Sequence, residues 1–161
     1  SNILLKPKML FTVRLKIFAV SHLHHFIKVA LCATLIKLTK GERLIIKTID
    51  RLNDIGNLSY NWDGYDAKPF NFELINKCKK IVRILSYQPD IYPTGRQSIQ
   101  FQYELSNKSY LEFEIFNNKT LCLWVPKRNY INAKEIEIVV SEEEHIKEMV
   151  DSFYENNGSL G

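Results

Sequence analysis

The spacing of apolar residues changes along the chain, and each spacing predicts a different kind of element. Residues 42–56 have apolar positions three or four apart, which predicts an amphipathic helix that ends at Gly56. Residues 71–87 repeat that spacing and predict a second helix, with Asn71 as its N-cap. A third helix is predicted after Ser141, where Ser-Glu-Glu-Glu forms a capping box. Each of these helices would bury one apolar stripe.

Between the second and third helices the apolar residues alternate with polar ones, which is typical of strands with one buried face. Four segments show this period: 98–105, 111–115, 121–125 and 135–140. They follow one another with short connections, which favours antiparallel pairing of neighbours in the chain. The sequence therefore predicts an α+β fold in which helices pack on one face of a four-stranded antiparallel meander sheet, in the order α-α-β-β-β-β-α.

The first predicted hairpin determines which side chains meet on the outer face of this sheet, away from the helices. With a three-residue loop at 107–109, Leu105 faces Leu111 in the core. Glu104 then faces Glu112 on the outer face. Because like charges directly opposite each other are unfavourable, we expect a cation or a partner to compensate this pair.

If the loop of the second predicted hairpin is 117–119, it also has three residues, and the next strand keeps the same alternation between faces. Cys122 and Trp124 then lie on the outer face. The core-facing residues of this strand would be Leu121, Leu123 and Val125.

The outer face is one of two candidate binding regions, and we expect it to be either a partner-binding face or a solvated one. Its candidate residues are Gln102, Glu104, Glu112, Glu114 and Trp124. Paired carboxylates can also bind a divalent cation or transfer protons. No His or Ser constellation accompanies these glutamates, so a metal-dependent hydrolase or nuclease that uses Glu104, Glu112 and Glu114 is the alternative hypothesis.

The second candidate region lies between the first two helices, where the chain reads Asn-Trp-Asp-Gly-Tyr. Asp63 followed by glycine is typical of a turn. Trp62 either fills the gap between helices and sheet or, with Tyr65, anchors a partner. Farther along, Pro-Thr-Gly-Arg predicts a tight turn that carries Arg96 into the sheet.

Charge divides the 161-residue chain at about residue 41. The first 41 residues contain seven basic and no acidic side chains, whereas the rest carry 15 basic and 18 acidic ones, a net charge of −3. We therefore predict a basic N-terminal extension over 1–41 and a single α+β domain over 42–158. This charge makes nucleic acid an unlikely partner of residues 42–161.

The extension is apolar but contains no uncharged stretch long enough to span a membrane. We expect a strand at 11–19 and a helix at about 21–39. Residues 9–40 could lie on a membrane surface, on nucleic acid or on a partner. His22, His24 and His25 lack further ligands nearby, so we interpret them as solvated rather than metal-binding.

Three separated cysteines, Cys32, Cys78 and Cys122, fit reduced thiols in a cytoplasmic protein better than a disulfide framework. Each stands in an apolar setting that is typical of a buried structural cysteine. No motif marks any of them as a nucleophile.

Two motifs carry a family resemblance. Trp62-Asp63-Gly64-Tyr65-x-Ala67-x-Pro69 is followed by Pro93-Thr94-Gly95-Arg96-x-x-Ile99-x-x-x-Tyr103-Glu104, and then by Leu-Glu-Phe-Glu-Ile. This pattern resembles a group of small, largely uncharacterised bacterial proteins over about residues 42–140. The resemblance implies a bacterial, cytoplasmic protein and no established activity.

Together these observations predict a non-enzymatic protein-interaction module that needs no cofactor or metal. An antitoxin-like or immunity-like role is one concrete version, and the partner is another protein or a second copy of the chain. Binding to nucleic acid or a membrane surface through the basic N-terminal segment is a further alternative.

Overall fold

The computed structural model describes residues 38–138 and 142–160. The chain divides between Gly41 and Glu42 into two compact units, and the sheet lies in the second. The strand, the helix and the histidine cluster predicted before residue 38 lie outside the described residues, as does the capping serine of the last helix.

Three α-helices and one five-stranded antiparallel sheet form the described part of the chain. The helices are α1 (Lys40–Gly56), α2 (Phe72–Ile84) and α3 (Glu142–Glu155). The strands are β1 (Asp90–Pro93), β2 (Ile99–Glu104), β3 (Tyr110–Ile115), β4 (Thr120–Val125) and β5 (Lys134–Ile138). Two short 3₁₀ turns, Pro126–Arg128 and Tyr130–Asn132, join β4 to β5.

The predicted α+β class and the antiparallel sheet are confirmed, but the sheet has five strands rather than four. The additional strand is β1, which pairs with β2 at one edge of the sheet. The alternation that predicts strands begins only at residue 98, and Pro89 and Pro93 flank the segment before it. Proline cannot donate a ladder hydrogen bond, so it occurs at sheet edges and conceals the strand pattern there.

Helix α2 begins as the sequence predicts, because the side chain of Asn71 accepts a hydrogen bond of 2.8 Å from the backbone N–H of Glu73. All three helices lie against the same face of the sheet. Their buried side chains enclose Phe101 of β2 and Phe113 of β3, both of which are fully buried. On β5, Ile138 joins this core whereas Ile136 is partly exposed.

The first hairpin differs from the predicted register by a slide of two residues. Glu104 faces Tyr110, not Glu112. The loop closes where the N–H of Leu105 donates to the carbonyl oxygen of Ser109 at 3.0 Å. Since side chains alternate between faces, a slide of two keeps the same residues in the core and changes only which residues oppose each other.

The second hairpin contradicts the prediction more strongly, because its loop has two residues instead of three. The N–H of Phe116 donates to the carbonyl oxygen of Lys119 at 2.9 Å and closes that loop. Removing one residue from the loop reverses every side chain of β4. Cys122 therefore lies fully buried in the core, and Leu121 and Leu123 lie half-buried on the outer face.

Trp124 consequently lies on the helix side of the sheet, which corrects its predicted outward position. Its Nε1–H donates to the carbonyl oxygen of Gly158 at 2.8 Å. The N–H of Gly158 in turn donates to the carbonyl oxygen of Phe153 at 2.7 Å, which ends α3. A Cβ on Gly158 would lie 2.3 Å from the side chain of Ser109. The C-terminal turn is thus closed against β4 and the first hairpin.

Candidate functional site

The outer face of the sheet is crossed by two rows of neighbouring side chains. One row is Asp90, Gln102, Glu112, Leu123 and Glu135. The other row is Tyr92, Gln100, Glu114, Leu121 and Glu137. The glutamates of β3 thus lie on the outer face, and each of them faces a glutamine of β2.

Glu112 lies near the centre of this face and is hydrogen-bonded only by neutral donors. The amide of Gln100 donates to Oε1 at 3.1 Å, and the amide of Gln102 donates to Oε2 at 3.2 Å. The phenol of Tyr110 also donates to Oε2. None of the described cations forms an ion pair with this carboxylate. Among the described residues, the negative charge of Glu112 is therefore uncompensated.

Burial and this charge influence two neighbouring acids. Burial, followed by the hydrogen bond to Glu112, raises the pKa of Tyr110 well above its ordinary value. Burial, with a smaller contribution from Glu112, raises the pKa of the Cys122 thiol to about 12. Both groups stay protonated at neutral pH, and the Cys122 thiol is fully buried in the core.

Glu114 is almost completely buried, at 5% exposure, beneath the turn that precedes β2. The hydroxyl of Ser98 donates to Oε1 at 2.5 Å, and the guanidinium of Arg96 pairs with Oε2. Ser98 also shares a hydrogen bond of 2.6 Å with the hydroxyl of Thr94. The guanidinium of Arg96 lies 5.8 Å from the ring centroid of Phe116. This carboxylate is consequently neutralised and inaccessible.

Glu104 lies at the end of β2 and forms two ion pairs. Its oxygens accept from Lys108 at 3.0 Å and from Arg128 at 2.9 Å. The hydrogen bonds from Lys108 and then Arg128 lower the pKa of Glu104 below its usual value. Glu104, Glu112 and Glu114 therefore occupy three separate environments, and no group of three or more potential metal ligands occurs among the described residues.

The Trp-Asp-Gly-Tyr loop is organised mainly by its own hydrogen bonds. The Oδ1 of Asp63 accepts from the N–H of Tyr65 at 2.8 Å and from the N–H of Ala67 at 3.1 Å. Trp62 is half-buried against the core, with its ring 5.7 Å from that of Phe70. Tyr65, in contrast, is 89% exposed. Trp62 and Asp63 thus shape the loop, and Tyr65 is the side chain that a partner could reach.

The two motifs behind the family resemblance lie next to each other. The Oδ2 of Asp63 is 3.0 Å from the position that a Cβ on Gly95 would occupy. The side-chain amide of Gln97 donates to the carbonyl oxygen of Pro69 at 3.4 Å. The turn that follows Thr94 therefore rests on the loop, which explains in packing terms why both segments carry small and turn-forming residues.

Sequence reasoning missed the most exposed apolar side chains near the outer face. Ile131 is 94% exposed and Tyr130 is 70% exposed, in the second 3₁₀ turn. Tyr130 lies close enough to Tyr110 to contribute, after burial and Glu112, to its raised pKa. The available signal was a Tyr-Ile pair set between asparagines, in a stretch without strand periodicity.

No helix in the described ranges combines the length and the apolar character that a membrane crossing requires. Comparisons with protein-family models, with curated proteins and with solved structures found no match to this chain.

Proposed function

We propose that this protein is a non-enzymatic interaction module that binds a protein partner through the outer face of its sheet and the adjoining Tyr130-Ile131 turn. The observation that carries the proposal is the exposure of this apolar pair. Tyr110 connects the pair with Glu112, because its phenol donates to that carboxylate and it lies close to Tyr130. A bacterial, cytoplasmic antitoxin-like or immunity-like role is one form that such a module could take.

The Tyr130-Ile131 turn has the properties of an interface anchor. Exposed tyrosines contribute a large share of binding energy in many protein interfaces. The turn is also ordered by local hydrogen bonds, since the side chain of Asn129 accepts from the N–H of Ile131 at 3.2 Å. The N–H of Ala133 donates to the carbonyl oxygen of Tyr130 at 3.2 Å. A preformed anchor loses less conformational entropy on binding than a flexible one.

The charge of the outer face indicates the chemistry of the partner. Glu112 is surrounded by neutral donors, and Asp90 and Glu135 lie at the two ends of its row. The ion pair between Arg128 and Glu104, at 2.9 Å, ties the connection that carries Tyr130 to the edge of this face. A partner with Lys or Arg beside an apolar pocket would complement both features.

The carboxylate arrangement supports binding better than hydrolysis. A metal-dependent hydrolase or nuclease needs carboxylates that converge on one ion, whereas Glu104 and Glu114 are each neutralised by their own cations. Ser98 is fully buried and its hydroxyl donates a hydrogen bond to Glu114, so it is not presented to a substrate. The alternative of nucleic-acid or membrane binding concerns residues before the described part of the chain.

Site-specific photo-crosslinking tests the proposal. A benzoylphenylalanine at Ile131 should crosslink a partner in extracts of the source cells, and the same probe at Phe72 should not. Phe72 is a matched control because it is also exposed, at 75%, but lies on α2.

The captured protein should then be purified and titrated by calorimetry. We expect Tyr130→Ala and Ile131→Ala each to weaken binding by about tenfold or more, as hot-spot truncations do. Phe72→Ala should leave the affinity unchanged. Equal crosslinking at both positions, or equal affinities for all three variants, would contradict the proposed surface.

A further inference from the structure

A cleft of about 340 Å³ opens between α1 and the edge strand β1, and neither Tyr130 nor Ile131 lines it. Lys47 and Arg51 line it on the helix side, and Asp90, Ile91 and Tyr92 line it on the strand side. Its volume corresponds to roughly ten water molecules at about 30 Å³ each, which is room for a small organic molecule. Ligand sites of proteins begin at about this size.

The helix side of the cleft presents two positive side chains that form no ion pair within the described residues. Lys47 and Arg51 lie one helical turn apart on α1, where like charges repel each other. None of the described carboxylates lies within ion-pair distance of either side chain. The hydrogen bond that Arg51 makes, from Nε to the carbonyl oxygen of Ile91, is long at 3.5 Å. An anion in the cleft would relieve this repulsion and accept from both cations.

The strand side adds a backbone donor. The N–H of Thr94 donates to the carbonyl oxygen of Ser98 at 3.0 Å. In an antiparallel pair every second residue bonds to the neighbouring strand, so every second residue before Thr94 directs its N–H and C=O towards β2. Ile91 occupies an intervening position, and its carbonyl oxygen meets Arg51 instead. Its N–H therefore also points to the open edge, beside the guanidinium. A backbone N–H next to an arginine is a suitable pair of donors for an oxyanion.

The prolines at the ends of β1 make a small ligand more suitable than a peptide strand. Like Ile91, Pro89 and Pro93 are at positions whose backbone groups face away from β2. Proline has no N–H to donate there. An added strand would thus find one donor on this edge, which is how natural sheets discourage edge pairing. The edge can hold one anionic group but cannot support a ladder.

The remaining lining residues specify what else the ligand carries. Asp90 lines the same cleft as the two cations without pairing with either of them. Leu44 and Tyr92 also line it and are 42% and 46% exposed. We propose that the α1–β1 cleft binds a small organic oxyanion that also bears a hydroxyl or ammonium donor, with the anion on Lys47, Arg51 and the Ile91 N–H and the donor on Asp90.

Nitrogen-15 NMR titrations of the full chain test this site with defined probes. Inorganic phosphate tests the oxyanion alone, L-lactate tests an oxyanion with a hydroxyl, and tetramethylammonium tests a cation alone. We expect phosphate and lactate to shift the amide signals of Thr48 and Ile91, and tetramethylammonium to leave them unchanged. Asp90 and Tyr92 also belong to the rows of the outer face, whereas Lys47 and Arg51 lie on α1, so anion binding should leave the signals of Tyr130 and Ile131 in place.

Three variants decide the outcome. Lys47→Gln with Arg51→Gln should weaken phosphate and lactate binding by at least about tenfold, because charge-assisted hydrogen bonds are the strong ones. Asp90→Asn should strengthen phosphate binding and reduce the preference for lactate. Lys80→Gln, on α2 outside the cleft, is the matched control and should change nothing.

Circular dichroism would establish that each variant is folded. The proposal is overturned if neither anion shifts the Thr48 and Ile91 signals at tens of millimolar. It is equally overturned if the double variant binds both anions as well as the Lys80→Gln control does.

Discussion

Gln102 of β2 faces Glu112 of β3, and its amide donates a hydrogen bond of 3.2 Å to the carboxylate. Two residues away Gln100 faces Glu114, and the amide of Gln100 donates to Glu112. β2 therefore presents neutral amides wherever β3 presents carboxylates, and no two glutamates oppose each other between these strands. This arrangement lets β3 carry two negative charges on one face without cross-strand repulsion.

Exchanging these two side chains tests the register. Gln102→Glu places carboxylates directly opposite each other and should lower the free energy of unfolding by about 0.5–1 kcal/mol. Adding Glu112→Gln restores one carboxylate and one amide, so the double variant should recover most of the loss. Urea denaturation of the single and double variants measures both values. A register with Glu104 opposite Glu112 would instead make the two substitutions independent of each other.

The sequence predicted the class of the fold because hydrophobic periodicity determines which face of each element is buried. It did not predict the slide of β2 on β3, since Leu105 and Tyr103 both offer an apolar partner for Leu111. For β4 even the face was wrong. Thr-Leu-Cys-Leu-Trp-Val has apolar side chains on both sides, so only the loop length distinguishes them.

The candidate site was predictable only in part, for a similar reason. Carboxylates on alternate positions of β3 must share a face, and the structure places them so. Which donors they meet depends on the register and on the turn that carries Arg96. The exposure of Ile131 follows from tertiary structure, because an apolar residue in an irregular segment has no period that indicates whether it is buried.

Mutations in the Trp-Asp-Gly-Tyr loop should affect stability differently at Asp63, which shapes the loop, and at Tyr65, which is exposed. Asp63→Ala leaves the N–H groups of Tyr65 and Ala67 without their acceptor and should cost about 1–3 kcal/mol of stability. Tyr65→Ala removes an exposed ring and should change stability by less than about 0.5 kcal/mol. Thermal unfolding of both variants checks the difference. Equal losses would show that Tyr65 packs in the folded protein.

Two glycines with positive φ should respond differently to alanine. Gly158 has φ of +91°, and a Cβ there would lie 2.3 Å from Ser109. Gly64 has φ of +79°, but a Cβ there would meet nothing within 4 Å. Gly64→Ala should therefore cost about 1 kcal/mol, the backbone penalty alone. Gly158→Ala adds overpacking of about 1–3 kcal/mol.

Comparing the stability lost in Gly158→Ala with that lost in Gly64→Ala tests how the C-terminal turn packs. If Gly158→Ala were as mild as Gly64→Ala in denaturant unfolding, the C-terminal turn would not be closed against the first hairpin. Ser109→Gly in the Gly158→Ala background should recover part of the additional loss, because it removes the atoms that clash.

The ion pairs of Glu104 should make stability depend on pH in a defined direction. Lys108 and then Arg128 lower the pKa of this carboxyl in the folded protein, whereas in the unfolded chain it titrates at its ordinary value. The contribution of Glu104 is therefore fully present above the unfolded pKa, and it is lost as the pH falls through the lowered, folded value. Glu104→Gln should reduce the melting temperature at pH 7 and have little effect near pH 2.

Because the ion pairs of Glu104 are exposed, 1 M salt should reduce the difference in melting temperature at pH 7. Glu155→Gln, an exposed glutamate of α3 that forms no ion pair within the described residues, is the control and should show neither trend. An effect of Glu104→Gln that is constant from pH 7 to pH 2 would mean that Lys108 and Arg128 do not stabilise its charge.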